Sequence, residues 1–286
     1  MSSTNFSPTE FSHGAWTIQG VSAAGTGTCL SMPQLKMAVD TAQGWPFVFP
    51  MNHLFITHAH IDHAGGLAYI ISQRGLMGLK NLQVYVPKPI VEPLQKILHT
   101  WEQLEGFQYS YEMKGIEPGD AVQIGDRHWV HPFETHHRVP SQGYCVYEYK
   151  KQLKPEFQGW SGPDIRRAKK SGKQVEEQVR DPIFAYTGDT DITFVDLCEP
   201  SVLKAKMLFI DCTYYDDTKS VEHAVEWGHI HLFQVLDQLQ KFNNEKLVLT
   251  HPSRRYKKSD LERILKESAL GRSVPPQELQ RLTLFP

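Results

Sequence analysis

The densest group of metal-binding side chains in this sequence comprises His58, His60, Asp62 and His63. Imidazole and carboxylate groups bind zinc, and also manganese or iron, and a catalytic site keeps one coordination position open for water. No glutamate lies between these histidines, so the stretch differs from the zincin motif, in which a glutamate follows the first of two helical histidines. We interpret the group as ligands of two adjacent metal ions; the alternative is a chance cluster of surface histidines.

Three later segments place a histidine or an aspartate where a strand-like run ends. In the first segment one ring of the pair His136 and His137 is expected to be a ligand, and the other to be packed or solvated. In the second, Gly188 allows a close turn and Asp189 is placed to bridge two cations, unless it only stabilises the turn. In the third, His251 follows an apolar run. These segments would bring ligands from distant parts of the chain to one site.

The elements around the first histidine group are expected to hold it in place. The apolar run 53–56 predicts a buried strand, and the helix predicted after His63 ends near Gly75 or Gly78. The candidate ligands would therefore lie on a loop between two rigid elements.

Strand-like and helix-like runs follow one another through the first half of the chain. The predicted edge strands of an antiparallel region are 15–18, 25–30 and 37–41. A strand at 82–87 and an amphipathic helix at 90–104 come next, so the order favours an α/β layered fold with considerable antiparallel sheet. Asp40 is expected either to orient a metal-bound histidine or only to open a turn.

Length and composition limit the class of protein. The 286 residues allow one large or two modest domains, and a net charge of -2 means that any nucleic-acid binding needs a local basic patch. The four cysteines form no C-x-x-C pair, which favours a reduced compartment over a disulfide framework. Met1–His13 is polar, and no run approaches the roughly 20 apolar residues of a membrane span. We therefore expect no membrane segment and a cytoplasmic location, with an organelle as the alternative.

The order of these motifs resembles that of the metallo-β-lactamase superfamily. The resemblance implies an α/β metallo-β-lactamase fold, a four-layer αβ/βα sandwich with two mixed β-sheets, as a single domain over 1–286. Within the superfamily the motifs look most like ribonuclease Z, the endonuclease that trims the 3′ ends of precursor tRNA, and are nearest to its short form. The similarity runs from about Gly20 to Tyr256. The motifs that carry it are Thr57–Gly66, His137-x-x-Pro-x-x-Gly-Tyr, Thr187–Thr190, Gly228-His229 and Thr250-His251-x-Ser253-x-Arg255-Tyr256.

The resemblance also implies two metal ions per chain, with zinc favoured and manganese or iron as alternatives. His137 is preferred to His136 because its spacing to Gly143 and Tyr144 matches the family pattern. The implied ligands are His58, His60 and His137 for one ion, Asp62, His63 and His251 for the other, and Asp189 as the bridge.

The implied reaction is phosphodiester hydrolysis that leaves a 3′-hydroxyl and a 5′-phosphate. Two cations about 3.5–4 Å apart would lower the pKa of a bridging water to give hydroxide and offset charge on the phosphate. Asp62 would bind metal and accept the proton of that water. In the family a histidine backed by a glutamate protonates the leaving ribose oxygen; His229 matches this histidine, and Asp211 stands at the glutamate position. The alternative for His229 is a residue that caps the start of a helix.

Substrate contacts are expected outside the metal ligands. Ser253 and Arg255 match residues placed for phosphate contact, and the alternative for Arg255 is pairing with a surface carboxylate. The segment at about 150–181 is a short basic insertion at the place where the family carries its tRNA-gripping arm; the alternative is a solvated basic loop. The basic residues expected to contact RNA are Arg166, Arg167, Lys169 and Lys170.

Three functions can be compared on this basis. We favour a zinc-dependent tRNA 3′-processing endoribonuclease, whose partners would be precursor tRNA and, by family resemblance, a second copy of the chain in a homodimer. The alternative enzyme is a hydrolase of the same fold that acts on another phosphodiester, or less favoured on a thioester or lactone; an uncharged substrate would not need the basic segment. A noncatalytic RNA-binding or scaffold protein could lose ligands freely, yet all seven are present.

Overall fold

The structure is a computed structural model that describes residues 7–285, so Met1–Phe6 of the polar beginning lies outside the described residues. Within residues 7–285 the chain forms two seven-stranded sheets. In spatial order the first sheet contains β1 (Thr9–His13), β2 (Trp16–Ala23), β3 (Gly27–Met32), β4 (Met37–Val39), β5 (His53–Phe55), β6 (Leu82–Pro87) and β7 (Tyr111–Ile116). The second sheet contains β8 (Val122–Gln123), β9 (His128–Glu134), β10 (Gln142–Leu153), β11 (Glu176–Tyr186), β12 (Met207–Asp211), β13 (Lys246–Thr250) and β14 (Leu282–Leu284).

The helices mostly lie in the connections between parallel strands. They are α1 (Ile61–Ala64), α2 (Leu67–Leu76), α3 (Val91–Glu105), α4 (Gly162–Lys170), α5 (Phe194–Leu197), α6 (Val221–Glu226), α7 (Leu232–Asp237), α8 (Lys258–Gly271) and α9 (Pro276–Arg281). In each sheet three antiparallel strand pairs are followed by three parallel pairs. Antiparallel neighbours can be joined by a short turn, whereas parallel neighbours need a long crossover, usually a helix. Both sheets are therefore mixed.

Three buried clusters define the layers. The first cluster lies between the two sheets and includes Phe55 of β5 and Tyr144 of β10, whose ring centroids lie 5.2 Å apart. A second cluster packs Ile70 of α2 and Leu98 of α3 against the outer face of the first sheet. A third packs α7 and α8, through residues such as Leu265, against the second sheet. The order helix, sheet, sheet, helix confirms the four-layer fold.

The carboxyl ends of β5, β11, β12 and β13 all lie at one edge of the sandwich. Ligands of α/β proteins commonly bind beyond the carboxyl ends of parallel strands, because loops from several strands meet there. Hydrogen bonds between backbone groups join the two halves at this edge: the Gln142 N–H donates to the Thr57 carbonyl, and the Ala24 N–H donates to the Pro252 carbonyl, each at 3.1 Å. Side chains on these loops are therefore held against both sheets.

Two expectations about local structure are wrong. The sequence predicts edge strands at 15–18, 25–30 and 37–41, but the strands found there, β2, β3 and β4, are interior strands that pair with a neighbour on each side. A short apolar run does not show whether its strand lies at the edge or in the interior of a sheet. When both faces of the sheet are covered, the period-two alternation that marks an exposed face is also lost. The sequence also places all four clustered ligands on a loop, but Asp62 and His63 lie within α1.

The basic insertion is an ordered extension of two strands. Strands β10 and β11 continue beyond the sheet as an antiparallel pair, and α4 lies in their connection. The extension has a small core of its own, formed by Leu153, Phe157, Ile165, Ala168 and Val175. The solvated-loop alternative is therefore wrong for the backbone of this segment, although most of its charged side chains are exposed.

Among the helices of residues 7–285, none combines the length and the apolar composition that a membrane span requires. The four cysteines are buried and free of disulfides.

Candidate metal centre

Three histidine rings meet on one side of the site. His58 follows β5, His60 directly precedes α1, and His137 lies on the loop after β9. His60 Nδ1 lies 3.1 Å from His58 Nε2 and 3.2 Å from His137 Nε2. Nitrogen ligands of a tetrahedral zinc ion, bound at about 2.0–2.1 Å, lie about 3.3 Å from one another. The two distances from His60 are therefore close to those of such a coordination sphere, and all three nitrogens lie within 4.8 Å of one another.

Asp62, His63 and His251 form a second group of donors. Asp62 Oδ2 lies 3.6 Å from His251 Nε2 and 3.9 Å from His63 Nε2. The backbone N–H of Gly25 donates to the same carboxylate oxygen at 2.7 Å, which fixes the orientation of Asp62. These donors can hold a second ion beside the first.

Asp189 lies between the two groups. Its Oδ1 is 3.2 Å from His63 Nε2, and its Oδ2 is 3.4 Å from His251 Nε2 and 3.8 Å from His58 Nε2. One carboxylate therefore faces histidines of both groups, which is the arrangement that a bridging ligand requires.

Three of these donor atoms, His63 Nε2, Asp189 Oδ1 and His251 Nε2, are buried without a hydrogen-bond partner in the described part of the chain. A buried polar atom that is left unpaired costs about 1–3 kcal/mol, so such atoms call for a ligand. Histidine and aspartate are also the donors that zinc, manganese and iron accept. The residues present therefore fit divalent metal ions.

Asp40 orients two of the histidines. Its Oδ2 lies 2.8 Å from His63 Nδ1, and its carboxylate accepts hydrogen bonds from the backbone N–H and the hydroxyl of Thr57. The Thr57 hydroxyl in turn lies 3.0 Å from His58 Nδ1. Binding one ring nitrogen leaves the other nitrogen of each ring directed at the metal position. Asp40 therefore has the orienting contact that the sequence analysis considered, and the simple turn role does not describe it.

The remaining rings are held by groups from the second half of the chain. His137 Nδ1 donates to the Gly228 carbonyl at 2.8 Å, and His251 Nδ1 lies 3.0 Å from the Thr213 hydroxyl. The Thr213 hydroxyl also donates to Asp211 Oδ1 at 2.8 Å, so His251 and Asp211 share one orienting residue.

Gly188 allows Asp189 to reach the centre. Its φ of +64° is in the left-handed region, and a Cβ at this position would lie 2.7 Å from the Thr57 Cβ. Any other residue here would push against Thr57, the side chain that holds His58.

Burial keeps several of the rings neutral. It lowers the pKa of His58 well below the usual value and also lowers the pKa of His60 and of His137. Neutral imidazole is the form that binds a metal ion. The electrostatic state of these three rings therefore agrees with their geometry.

A histidine and carboxylate pair lies beside the donors. His229 Nδ1 is 2.7 Å from Oδ2 of Asp211, which is fully buried. Burial alone lowers the pKa of His229, but the charge of Asp211 and the hydrogen bond to it raise this pKa to about 9. The cap at the start of α7 is His231, whose side chain accepts from the Phe233 N–H, so the capping alternative does not apply to His229.

The two adjacent histidines of the second segment have different surroundings. The exposed ring of His136 is directed at Asp191, with 2.5 Å between Nδ1 and Oδ2. His137 instead contributes to the first group of donors. The structure therefore brings His137, and not His136, to the site.

Ser253 and Arg255 follow β13 beside the centre. The Arg255 Nε donates to the Ser253 hydroxyl at 3.0 Å, and its guanidinium carbon lies 5.6 Å from the ring centroid of Tyr214. The charge of Arg255 is one of the causes that lower the pKa of Asp216, so the surface-pairing alternative has a candidate partner in that carboxylate.

The four basic residues of α4 are not brought to the donors. Strand β10 runs from Tyr144, paired with Tyr186, to Leu153, paired with Glu176. At about 3.3 Å per residue this stretch spans about 30 Å, which places α4 far from the strand ends that carry the metal ligands. The basic residues in question are Arg166, Arg167, Lys169 and Lys170.

The sequence analysis missed Thr57, Thr213 and Gly25 as orienting groups. Thr57 directly precedes His58, and Gly25 lies in the turn between β2 and β3. A single hydroxyl or backbone amide leaves no periodic pattern in the sequence that would mark it as an orienting group. Thr213 follows Asp211 by two positions, the spacing at which strand residues share a face, and that spacing could have indicated it.

Comparison with known proteins agrees with this geometry. Residues 45–252 match the protein family described as Beta-lactamase superfamily domain. The chain is 35% identical over 264 residues to tRNase Z TRZ1 of Arabidopsis thaliana, covering 92% of each protein. It is 33% identical to the chloroplastic tRNase Z TRZ2 of the same plant, covering 92% of this chain and 75% of that protein. Among solved structures, human tRNase Z, short form, is similar with a TM-score of 0.56 at 18% identity, covering 94% of this chain and 88% of that one.

Proposed function

The chain belongs to the beta-lactamase superfamily and, within it, to the ribonuclease Z family, so it is a metal-dependent endoribonuclease, and we propose that it removes the 3′ extension of precursor tRNA. The observation that carries this proposal is the convergence of seven donors at one edge of the sandwich, with the Asp211 and His229 pair beside them. The tRNase Z names of the relatives support the choice of substrate.

We assign two zinc ions to the donors, with manganese or iron able to occupy the same positions. When bound, the ions would lower the pKa of a water molecule and offset the charge that develops on the phosphate oxygens. The assignment is His58, His60 and His137 for one ion, Asp62, His63 and His251 for the other, and Asp189 between them.

Asp62 is the proposed acceptor of the proton released by the attacking water. The Gly25 amide and His251 lie against its Oδ2, and no hydrogen bond to its Oδ1 is found in residues 7–285. Oδ1 is therefore left for this proton. The fixed carboxylate would also keep the attacking oxygen in line with the leaving group.

His229 is the proposed acid for the leaving 3′ oxygen. Asp211 holds its Nδ1, which orients the ring and stabilises its protonated form, so Nε2 is left to donate a proton. The shorter aspartate, in place of the family's glutamate, still reaches the ring at 2.7 Å.

The acid role can be tested by changing the leaving group. His229→Ala should lower turnover of RNA by roughly 10²- to 10⁴-fold, because an alkoxide needs a proton to leave. Turnover of bis(p-nitrophenyl) phosphate should fall much less, since nitrophenolate leaves without one. Asp211→Asn should show the same pattern in weaker form. Equal losses on both substrates would contradict an acid role for His229.

We propose that α4 contacts RNA phosphates at a distance from the cut. Arg167 pairs with Asp164 and Lys169 pairs with Glu176. Arg166 and Lys170 form no ion pair within residues 7–285, so their charges are available to a polyanion.

The difference between the ion-paired and the unpaired basic residues of α4 provides a matched control. The double variant Arg166→Ala with Lys170→Ala should weaken RNA binding and lower the slope of log affinity against log salt by about 1.8, if two duplex phosphates are lost. The variant Arg167→Ala with Lys169→Ala removes the same charge and should lower the slope less. Equal slopes for the two variants would argue against specific contact by the unpaired residues.

Arg255 is the proposed phosphate contact near the centre. Its guanidinium is exposed and is held by the Ser253 hydroxyl and the ring of Tyr214, which leaves donors for a phosphate oxygen. Arg255→Lys should raise KM for RNA more than it lowers kcat, because lysine keeps the charge and loses the planar fork. An unchanged KM would contradict the assignment.

The deciding experiment is cleavage of a precursor tRNA by the zinc-loaded protein, with the cut mapped at nucleotide resolution. A single cut at the 3′ end of the acceptor stem, lost with a chelator and restored by zinc, is the expected result. Turnover of a small phosphodiester without cleavage of precursor tRNA would move the substrate to another phosphodiester and keep the proposed metal chemistry.

We further propose that the protein acts as a homodimer in the cytoplasm. Sedimentation of the purified chain should give twice the 32.7 kDa monomer mass. A monomer at enzyme concentrations used in the cleavage assay would contradict the first part, and exclusive import of a tagged chain into an organelle would contradict the second.

A further inference from the structure

The exposed indole of Trp227 lies next to the proposed acid. Trp227 immediately precedes Gly228 and His229, and 46% of its surface is exposed. A large exposed aromatic side chain beside a proposed active site is a candidate contact for a substrate. The metal chemistry and the acid proposed above make no use of this ring.

Backbone contacts hold Trp227 in place on both sides. The Trp227 N–H donates to the His223 carbonyl at the end of α6. Gly228 has a φ of +71°, and a Cβ there would lie 2.6 Å from His137 Nδ1. Because the Gly228 carbonyl accepts from this same nitrogen, the position of Trp227 is tied to a proposed metal ligand.

A guanidinium supports the indole. The Arg138 guanidinium carbon lies 4.5 Å from the ring centroid of Trp227, and Arg138 directly follows His137 in sequence. Arg138 forms no ion pair within the described residues, so its charge is available to a phosphate. The two side chains come from different loops, and both loops carry groups of the centre.

Further rings connect this surface to the acid. The centroid of His223 lies 5.9 Å from that of Trp227 and 5.5 Å from that of Tyr214, and Tyr214 lies 6.2 Å from His229. A chain of ring contacts therefore links the exposed indole of Trp227 to His229 through the buried ring of Tyr214.

We propose that Trp227, supported by Arg138, stacks on the base of the nucleotide immediately 5′ of the cut, the nucleotide that keeps the 3′-hydroxyl. An aromatic ring beside an arginine is suited to an unpaired base and its phosphate. The acid must contact the 3′ oxygen of this nucleotide, and ring contacts link Trp227 to the acid. We therefore assign the indole to the base of this nucleotide and not to the base beyond the cut. The inference rests on the proposed function, because it takes His229 as the acid and RNA as the substrate.

The test compares kcat/KM for two precursor tRNAs, one intact and one with an abasic site immediately 5′ of the cut. Trp227→Ala should lower kcat/KM on the intact RNA by roughly 5- to 150-fold, the effect typical of one lost base stack. The abasic site should lower the wild-type value by a similar factor. Combining the two should cause little further loss, since each change removes the same contact. Trp227→Phe should retain most of the activity.

Trp101 provides the matched control. It is 45% exposed and lies on α3, an element that supplies none of the proposed site residues. Trp101→Ala should cleave both RNAs as the wild type does. Thermal melting and zinc content of each variant should equal those of the wild type, which separates loss of stacking from loss of folding.

Each outcome has a defined meaning. Wild-type activity of Trp227→Ala on intact RNA would overturn the inference and leave the proposed function in place. If the combined change lowers kcat/KM by the product of the two separate losses, the inference is also overturned. The ring would then act on the protein and not on that base. Failure of the wild type to cleave precursor tRNA would overturn the proposed function and this inference together.

Discussion

Gly188→Ala should destabilise the protein through a specific contact with Thr57. The backbone at Gly188 has a φ of +64°, where a non-glycine residue costs about 1–2 kcal/mol. The new Cβ would also lie 2.7 Å from the Thr57 Cβ, well below the roughly 3.5–4.0 Å of an ordinary carbon contact. Thr57 must therefore move.

Movement of Thr57 would weaken its hydrogen bonds to the Asp40 carboxylate and to His58. A hydrogen bond to a charged group contributes about 1.5–3 kcal/mol. The total expected loss in the free energy of unfolding is therefore about 2.5–5 kcal/mol. Zinc affinity should fall about 10- to 100-fold, since His58 would lose the group that orients it.

Gly106→Ala separates the backbone strain of a positive φ from the contact with Thr57. Gly106 also has a positive φ, of +73°, but no atom lies within 4 Å of the position of its missing Cβ. This variant should lose only about 1–2 kcal/mol and should bind zinc normally. Urea unfolding of the metal-free proteins and a chelator competition assay measure both quantities. Equal stability and equal zinc affinity of the two variants would refute the proposed contact through Thr57.

Three further substitutions test the centre. Asp40→Asn should lower zinc affinity about 10- to 100-fold while keeping the fold, because His63 loses a charged partner; a competition titration that gives wild-type affinity would contradict this. Asp62→Ala should abolish hydrolysis and leave RNA binding largely intact, and retained turnover in a cleavage assay would contradict the two-metal assignment. His137→Ala should reduce the metal content, whereas His136→Ala should not, because only His137 belongs to the donor group; metal analysis that reverses this order would refute the assignment.

Much of the fold and of the donor set could be predicted from local patterns. The run before His58 forms β5, and the amphipathic run at 90–104 forms α3 within a residue at each end, because burial on one face leaves a periodic signal. The strand at 82–87 has the predicted bounds. The interior position of β4 and the extension of β10 beyond the sheet could not be predicted, because neither has a local signature in the sequence.

The sequence by itself determined the kind of chemistry, because four potential ligands lie so close together in the chain that no distant contact is needed to bring them near one another. Only the tertiary structure decided which residues orient them. Asp40 reaches His63 because β4 and β5 pair in parallel. Trp227 meets Arg138 because the loop between β9 and β10 and the connection between β12 and β13 come together at one edge of the second sheet. Such contacts depend on strand pairing and on the direction of each turn, and residue spacing along the chain carries little information about either.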